Sequence, residues 1–154
     1  MARESIHSYF VKMLDLVSAR STCIRRQVGA IITDGRGHVL ATGYNGVPSR
    51  EPHCVEEPCA GANDVPGDTR RCLAVHAEQN ALIQCAELFK AKRIYVTCTP
   101  CFTCAKMIVN TPIKEVIVTA AYADDEGSRL LRRRGMLFMF DYESGTPKLL
   151  TPDA

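Results

Sequence analysis

Residues 93–109, RIYVTCTPCFTCAKMIV, combine a strand pattern and a helix pattern on the two sides of Pro100. The apolar and aromatic run at 94–96 is typical of a buried strand. After the proline, apolar and cysteine side chains recur at helical spacing over 101–109, and proline is favoured at a helix start. The segment therefore predicts a strand followed directly by a helix, which is the repeating unit of α/β folds.

Similar patterns extend this unit along the whole chain. Helices should connect the last three strands, which makes those strands parallel with right-handed crossovers, whereas the first two strands form an antiparallel hairpin. The prediction is an α/β fold, a three-layer α-β-α arrangement with a mixed five-stranded sheet. The predicted helices are 5–19, 75–89, 101–109 and 125–134, and the predicted strands are 27–33, 38–44, 93–98, 115–119 and 136–142.

Length and charge restrict the kind of protein. A chain of 154 residues suits one domain, 1–154, and the proline-containing tail at 144–154 is expected to be loosely held. A formal net charge of +2 gives no indication of a nucleic-acid partner. No apolar run approaches the roughly 18 residues of a membrane span, and no signal-peptide core follows Met1. We therefore predict a cytoplasmic protein without a membrane or nucleic-acid partner.

Three residues have the spacing of zinc ligands. Cys101 and Cys104 share one face in the first turn of a predicted helix, whose positive end favours the thiolate form that binds metal. His76 begins another predicted helix and supplies a third ligand. Three protein ligands leave the fourth zinc position open, as in catalytic sites, where bound water ionises near neutral pH.

Glu78 follows His76 by two residues, so the two side chains do not face each other on a helix. We therefore predict that Glu78 stays off the metal and acts as an acid/base group beside it. Alone, a Cys-x-x-Cys pair also fits a redox pair or a structural zinc site, and His-x-Glu alone indicates little. Their combination favours a catalytic zinc.

The combined pattern H-x-E…P-C-x-x-C resembles the signature of the cytidine/deoxycytidylate deaminase superfamily. Further stretches are similar to the deoxycytidylate (dCMP) deaminases, and the likeness covers about 5–140. These stretches are Gly43-Tyr44-Asn45-Gly46-Val47-Pro48, His76-Ala77-Glu78-Gln79-Asn80-Ala81, Cys101 to Lys106, Ile113-Lys114-Glu115-Val116, and Tyr122 with Asp124-Asp125.

The resemblance implies hydrolytic deamination of dCMP to dUMP and ammonia, which supplies dUMP for thymidylate synthesis. A zinc-bound hydroxide would attack C4 of the cytosine, with Glu78 as the proton shuttle. Cytosine nucleotides or nucleosides such as dCTP, modified dCMP or cytidine stay open as substrates, and so does adenosine in tRNA. A non-catalytic zinc-binding module is the alternative from another class, whereas a thiol redox role for Cys101 and Cys104 would leave His76 and Glu78 unexplained.

The resemblance also suggests substrate contacts. The Ala77 backbone and Asn45 would contact the base and the sugar, and Arg26 would bind the 5′-phosphate with help from Ser21. Tyr122 follows a strand at its carboxyl end, where ligands collect in such sheets. The alternatives are a solvated basic turn for Arg26 and a core position for Tyr122.

Four further cysteines suggest a second metal. The loop 45–71 is rich in proline and glycine, and such long loops are usually functional or held in place by other groups. Four cysteines near it, with His53, offer enough ligands for a closed structural zinc site. Some family members are similar in having a second zinc here, and the alternative is reduced buried thiols. The four cysteines are Cys23, Cys54, Cys59 and Cys72.

Regulation and assembly are expected only through the resemblance. The family is commonly a homo-oligomer, often a hexamer, activated by dCTP with Mg²⁺ and inhibited by dTTP. The stretch tied to this regulation resembles Gly43, Tyr44, Asn45 and Gly46.

Overall fold

A computed structural model describes residues 2–123 and 125–152, so Asp124 of the family-like stretch lies outside the described residues. The helices are α1 (Ile6–Ser18), α2 (Ala77–Gln84), α3 (Phe102–Val109) and α4 (Asp125–Arg133). The strands are β1 (Gly29–Asp34), β2 (Val39–Tyr44), β3 (Ala91–Val96), β4 (Glu115–Val118), β5 (Leu137–Asp141) and β6 (Thr146–Leu149).

The six strands of the described residues form one sheet in the order β2-β1-β3-β4-β5-β6. The strands β3, β4 and β5 are parallel, as the intervening helices predict. The strand β1 is antiparallel to both β2 and β3. The predicted mixed sheet is therefore confirmed.

The sixth strand corrects the prediction of five strands and of a loosely held tail. Residues 146–149 pair antiparallel with β5, and the Nζ atom of Lys148 lies 2.6 Å from Oδ2 of Asp141. Pro147 is tolerated because β6 is an edge strand. The sequence TPKL lacks an apolar alternation, so only its pairing with β5 identifies it as a strand.

Helices cover both faces of the sheet, which confirms the three layers. On one face, α2, α3 and α4 pack on alternate strand residues such as Ile32, Ile94 and Val116. On the other face, α1 contributes Phe10 and Leu14 and packs on the opposite strand residues, Ile31, Tyr95 and Ile117. Burying one such side chain completely, rather than leaving it exposed to water, favours folding by about 1.5–3 kcal/mol.

The second helix is shorter than predicted. It ends at Gln84 because Cys85 takes an extended backbone (φ −81°, ψ 92°), and a short 3₁₀ turn, Leu88–Lys90, follows. The preceding loop has no helix, and an isolated bridge between Gly46 and Val75 ties its ends together. Within the described ranges, no helix has the length and apolar character needed to span a membrane.

Candidate active site

The structure brings the three predicted zinc ligands together. His76 is the N-cap of α2, Cys101 is the N-cap of α3, and Cys104 lies in the first turn of α3. The His76 Nδ1 atom lies 3.5 Å from Sγ of Cys101 and 3.4 Å from Sγ of Cys104. Across 2–123 and 125–152, these residues form the only group of three or more metal-binding side chains whose ligand atoms all lie within 4.8 Å of one another.

This donor set fits zinc. Zinc prefers sulfur and imidazole nitrogen in a tetrahedral arrangement, with zinc–nitrogen bonds of about 2.0–2.1 Å and zinc–sulfur bonds of about 2.3 Å. Those bond lengths place nitrogen and sulfur roughly 3.5 Å apart, and the nitrogen–sulfur separations of 3.5 Å and 3.4 Å agree with this value.

Two glycines allow close backbone contacts at the starts of α2 and α3, where the predicted ligands lie. A Cβ at Gly43 in β2 would overlap with the carbonyl oxygen of Ala77, at the start of α2. A Cβ at Gly127 in α4 would overlap with the carbonyl oxygen of Pro100, just before Cys101. Neither position needs a positive φ, so the lack of a side chain is what matters. These two contacts fix the N-terminal ends that carry the ligands.

Proton affinities differ sharply within the cluster. Hydrogen bonds from Cys104 and His76 lower the pKa of Cys101 to about 4. The same hydrogen bond with Cys101, together with burial, raises the pKa of Cys104. The hydrogen bond with Cys101 raises the pKa of His76. The Cys101 sulfur is therefore the readily ionised thiol, which suits a metal ligand.

Glu78 lies in the first turn of α2 and is almost fully buried, with 4% of its surface exposed. Its carboxyl group contacts the Cys104 thiol, although Glu78 does not belong to the three-residue ligand group of the described chain. Burial raises the pKa of Glu78. A buried carboxyl group with a raised pKa, next to a metal-binding cluster, suits proton transfer near neutral pH.

A cavity of about 570 Å³ lies over the cluster and is lined by His76, Glu78 and Cys101. This volume falls within the roughly 300–1,000 Å³ of typical ligand sites. Four of the five predicted substrate contacts line the same cavity. These are Arg26, Asn45, Ala77 and Tyr122.

Ser21, the fifth predicted contact, does not line the cavity. Its buried hydroxyl lies 2.6 Å from the Asn45 side-chain oxygen and 2.9 Å from the Asn45 carbonyl oxygen. The same side-chain oxygen accepts a hydrogen bond from the Val28 amide (2.8 Å), and the Asn45 side-chain nitrogen donates to the Arg26 carbonyl (2.8 Å). Ser21 therefore positions Asn45 rather than facing a ligand, and Asn45 fixes the backbone of Arg26.

Arg26 and Tyr122 contact each other directly. The Arg26 guanidinium lies 5.2 Å from the centre of the Tyr122 ring, a cation–π geometry. The Tyr122 amide donates a 2.7 Å hydrogen bond to the Thr99 hydroxyl. Arg26 is exposed and Tyr122 is half-buried, so both present surface to the cavity rather than to the core.

Cys98 and Thr99 also line the cavity, although neither belongs to a motif identified in the sequence. Both are buried and lie between the end of β3 and Pro100. Burial raises the pKa of Cys98 to about 11, so its thiol is neutral. Their place after a parallel strand was the available signal, because the carboxyl ends of such strands form ligand sites.

The four cysteines of the predicted second zinc site collect at the long loop. The thiols of Cys54 and Cys72 hydrogen-bond with Cys59, and Cys23 lies within electrostatic range of Cys72. A hydrogen bond from the Leu73 backbone is the largest cause lowering the pKa of Cys59. In the described part of the chain, only the His76 cluster forms a group of three or more ligand atoms that all lie within 4.8 Å of one another. The second zinc stays a prediction, and His53 is exposed.

The stretch expected to be regulatory packs against α2. Gly43 is required by the approach of Ala77, and the Tyr44 carbonyl accepts a 2.9 Å hydrogen bond from the Asn80 side chain. A Cβ at Gly46 would lie 2.8 Å from the Thr22 hydroxyl oxygen, which would have to shift. These contacts give the stretch a structural role, and its regulatory role stays a prediction.

Comparison with known proteins agrees with this site. Residues 4–120 match the family described as the cytidine and deoxycytidylate deaminase zinc-binding region. This chain belongs to that family. The resemblance predicted from the motifs is therefore confirmed, and the family description supports zinc at the His76 cluster.

Individual relatives extend the comparison. The deoxycytidylate deaminase of Saccharomyces cerevisiae is 37% identical over 142 residues, which is 88% of this chain and 45% of the yeast protein. The deoxycytidylate deaminase of Mycobacterium phage D29 is 36% identical, over 76% of this chain and 96% of the phage protein. The chain thus spans less than half the length of the yeast relative and nearly all of the phage relative.

A solved structure shares the fold. The dCMP deaminase of cyanophage S-TIM5, in complex with dCMP and dUMP, matches with a TM-score of 0.71 and 30% identity. The match covers 90% of this chain and 99% of the cyanophage chain.

Proposed function

We propose that this protein is a zinc-dependent deaminase that converts dCMP into dUMP and ammonia, and thereby supplies dUMP for thymidylate synthesis. The observation that carries the proposal is a buried carboxyl group, Glu78, beside the three zinc-binding side chains at the base of a nucleotide-sized cavity. The deoxycytidylate deaminases among the relatives support dCMP as the substrate.

His76, Cys101 and Cys104 would hold the metal. A zinc ion bound there supplies the Lewis acidity that makes water a nucleophile near neutral pH. Glu78 accepts a proton from the attacking water and delivers it to N3 of the cytosine. It then accepts the remaining proton from the new C4 hydroxyl and delivers it to the departing amine. The water oxygen adds to C4, the bond from C4 to the amino nitrogen breaks, and ammonia leaves.

The remaining lining residues bind and orient the nucleotide. Arg26 binds the 5′-phosphate, since its guanidinium can donate two parallel hydrogen bonds and lies over the Tyr122 ring. Asn45 retains one side-chain N–H after its contacts with Ser21, Val28 and Arg26, and this N–H is available to the ligand. The Ala77 backbone lines the cavity next to Glu78 and contacts the base.

A substrate panel tests the assignment. Purified protein of known zinc content is assayed with dCMP, deoxycytidine, dCTP, modified dCMP, cytidine and tRNA. We expect dCMP to have the highest kcat/KM, and Arg26→Met to lower kcat/KM for dCMP much more than for deoxycytidine. Equal turnover of deoxycytidine and dCMP by the unchanged protein would refute the phosphate assignment. Preferred turnover of tRNA would refute the nucleotide assignment.

A second, structural zinc at Cys23, Cys54, Cys59 and Cys72 is part of the proposal. It is supported by the contacts of Cys59 with two other thiols and by the lack of helix or strand in the loop that they join. Metal analysis is the test, since one zinc per chain would exclude the second site.

We also propose a regulated homo-oligomer, with a hexamer favoured, that responds to dCTP with Mg²⁺ and to dTTP. Ile83 in α2 and Phe89 just after it each expose 73% of their surface, and such apolar groups suit burial in an assembly. The eight free thiols suit a reducing cytoplasm. Sedimentation with and without the two nucleotides tests the assembly, and a monomer under all conditions would refute it.

A further inference from the structure

One wall of the cavity comes from the long loop rather than from the sheet. Ala62, Asp64, Pro66, Gly67 and Thr69 line it, and all belong to the segment 61–69. No helix or strand lies within this segment. The position of this wall therefore depends on hydrogen bonds within the turn and on side-chain contacts, rather than on the sheet.

The loop around this segment is stabilised from within. Asp64 forms an ion pair with Arg71, and Asp68 forms one with Arg70 at 2.8 Å. The Asp64 amide donates to the Gly61 carbonyl (3.2 Å), and a Cβ at Gly61 would overlap with the backbone of Cys72. The segment is thus a compact turn with contacts of its own.

Arg25 connects this turn to the body of the protein. Its Nη1 atom donates to the Asp68 carbonyl (2.9 Å), and Nη2 donates to the carbonyls of Asp64 (3.3 Å) and Val65 (3.0 Å). A guanidinium has the planar, forked set of donors that such a contact requires. Val65 is 70% exposed, so the tip of the turn gains little from apolar packing.

We propose that Arg25 is a positioning residue that holds segment 61–69 as a wall of the cavity. Arg26, next to it, has a separate role in binding the phosphate. The Arg25 guanidinium donates hydrogen bonds to loop carbonyls, whereas the guanidinium of Arg26 lies over the Tyr122 ring. Only the kinetic part of this inference rests on the proposed function.

Amide hydrogen exchange tests the wall without any substrate. In Arg25→Met we expect the Asp64 and Asp68 amides, both hydrogen-bonded within the turn, to exchange at least about tenfold faster, as expected for the loss of one charge-assisted hydrogen bond. Amides of α3 should not change. In Arg25→Lys the same two amides should exchange nearly as fast as in Arg25→Met, because an ammonium group lacks the planar fork of donors. The matched control is Arg36→Met, in the exposed β1–β2 turn, which should exchange like the unchanged protein.

Unaltered exchange of both amides in Arg25→Met would overturn the proposal. If Arg25→Met does not fold, Arg25→Lys and Arg25→Gln provide the same comparison. Exchange that rises equally throughout the chain would also overturn it, because the effect would then be global destabilisation.

Steady-state kinetics separate the two arginines. Arg25→Met should lower kcat/KM by the same factor for dCMP and deoxycytidine, mainly through KM, because the wall serves both ligands. Arg26→Met should act mainly on dCMP. If Arg25→Met affects dCMP alone, Arg25 is a phosphate ligand and the proposal is wrong. If the unchanged protein deaminates neither compound, the proposed function fails, and the exchange experiment still decides the role of Arg25.

Discussion

Two groups of cysteines lie close to this cavity, and they are held in different ways. Cys101 and Cys104, with His76, occupy the ends of two helices that are packed on the sheet. Cys54 and Cys59 belong to the long loop 45–71, and Cys72 follows it directly, in a region without helix or strand. Only the first group reaches mutual ligand distances in the described part of the chain. Rigid elements preorganise a metal site, whereas loop ligands depend on the metal, or on contacts such as those of Arg25, for their position.

The largest expected effect is beside the rigid group, at Glu78, and concerns the chemistry alone. Glu78→Gln should lower kcat by about 10²–10⁴-fold, because it removes the proton shuttle while preserving size. Zinc content should not change, since Glu78 lies outside the ligand group. Steady-state kinetics and metal analysis measure the two effects. Glu56→Gln, an exposed loop position, is the control. Full activity of Glu78→Gln would support the non-catalytic zinc module.

The next largest effect is expected from a substitution that disturbs the rigid scaffold itself. Gly43→Ala forces a Cβ against the backbone of α2, so the free energy of unfolding should fall by about 1–3 kcal/mol or more, and zinc affinity should fall with it. Urea denaturation and zinc titration provide the measurements. Gly35→Ala is the matched control, because a Cβ there comes no closer than 3.8 Å to Lys92. Equal stability of the two variants would show that α2 can move without cost.

A smaller effect is expected in the loop group. Cys59→Ser should remove the proposed structural zinc and leave the zinc of the His76 cluster in place, because no residue is shared between the two sites. Metal analysis should find one zinc ion fewer per chain, with part of the activity retained. Cys85→Ser is the control, because Cys85 lies at the end of α2 and belongs to neither of the two zinc sites. An unchanged zinc content in Cys59→Ser would refute the second site.

The smallest effect concerns an exposed ion pair of the loop. The side-chain hydrogen bond with Arg70 lowers the pKa of Asp68 below its ordinary value of 3.8, so the stabilisation is complete above pH 3.8 and is lost as the pH falls below it. Asp68→Asn should be slightly less stable than the unchanged protein at pH 6, and this difference should disappear on acidification. Urea denaturation of both proteins at each pH tests it. A difference in stability between the two proteins that grows as the pH falls would contradict the predicted direction of the pH dependence.

Much of the fold could be predicted because it depends on local periodicity. The four helices, the first five strands and the parallel order of β3, β4 and β5 all follow from apolar spacing and from the helices between strands. The strand β6 escaped prediction because its short polar sequence becomes a strand only beside β5. The end of α2 escaped it because helical spacing continues past Cys85, where the backbone turns away.

For the site, the chemical groups are already specified in the sequence, since the spacing of His76, Cys101 and Cys104 at helix starts predicts a zinc-binding set. The support of those groups, in contrast, arises from tertiary contacts. In the folded chain the Ser21 hydroxyl contacts the Asn45 side chain, and the Arg25 guanidinium donates hydrogen bonds to carbonyls of the loop. Such contacts join residues up to 43 positions apart, and no local pattern encodes them. Ligand spacing is a property of one helix turn, whereas the shape of the cavity depends on how distant segments pack.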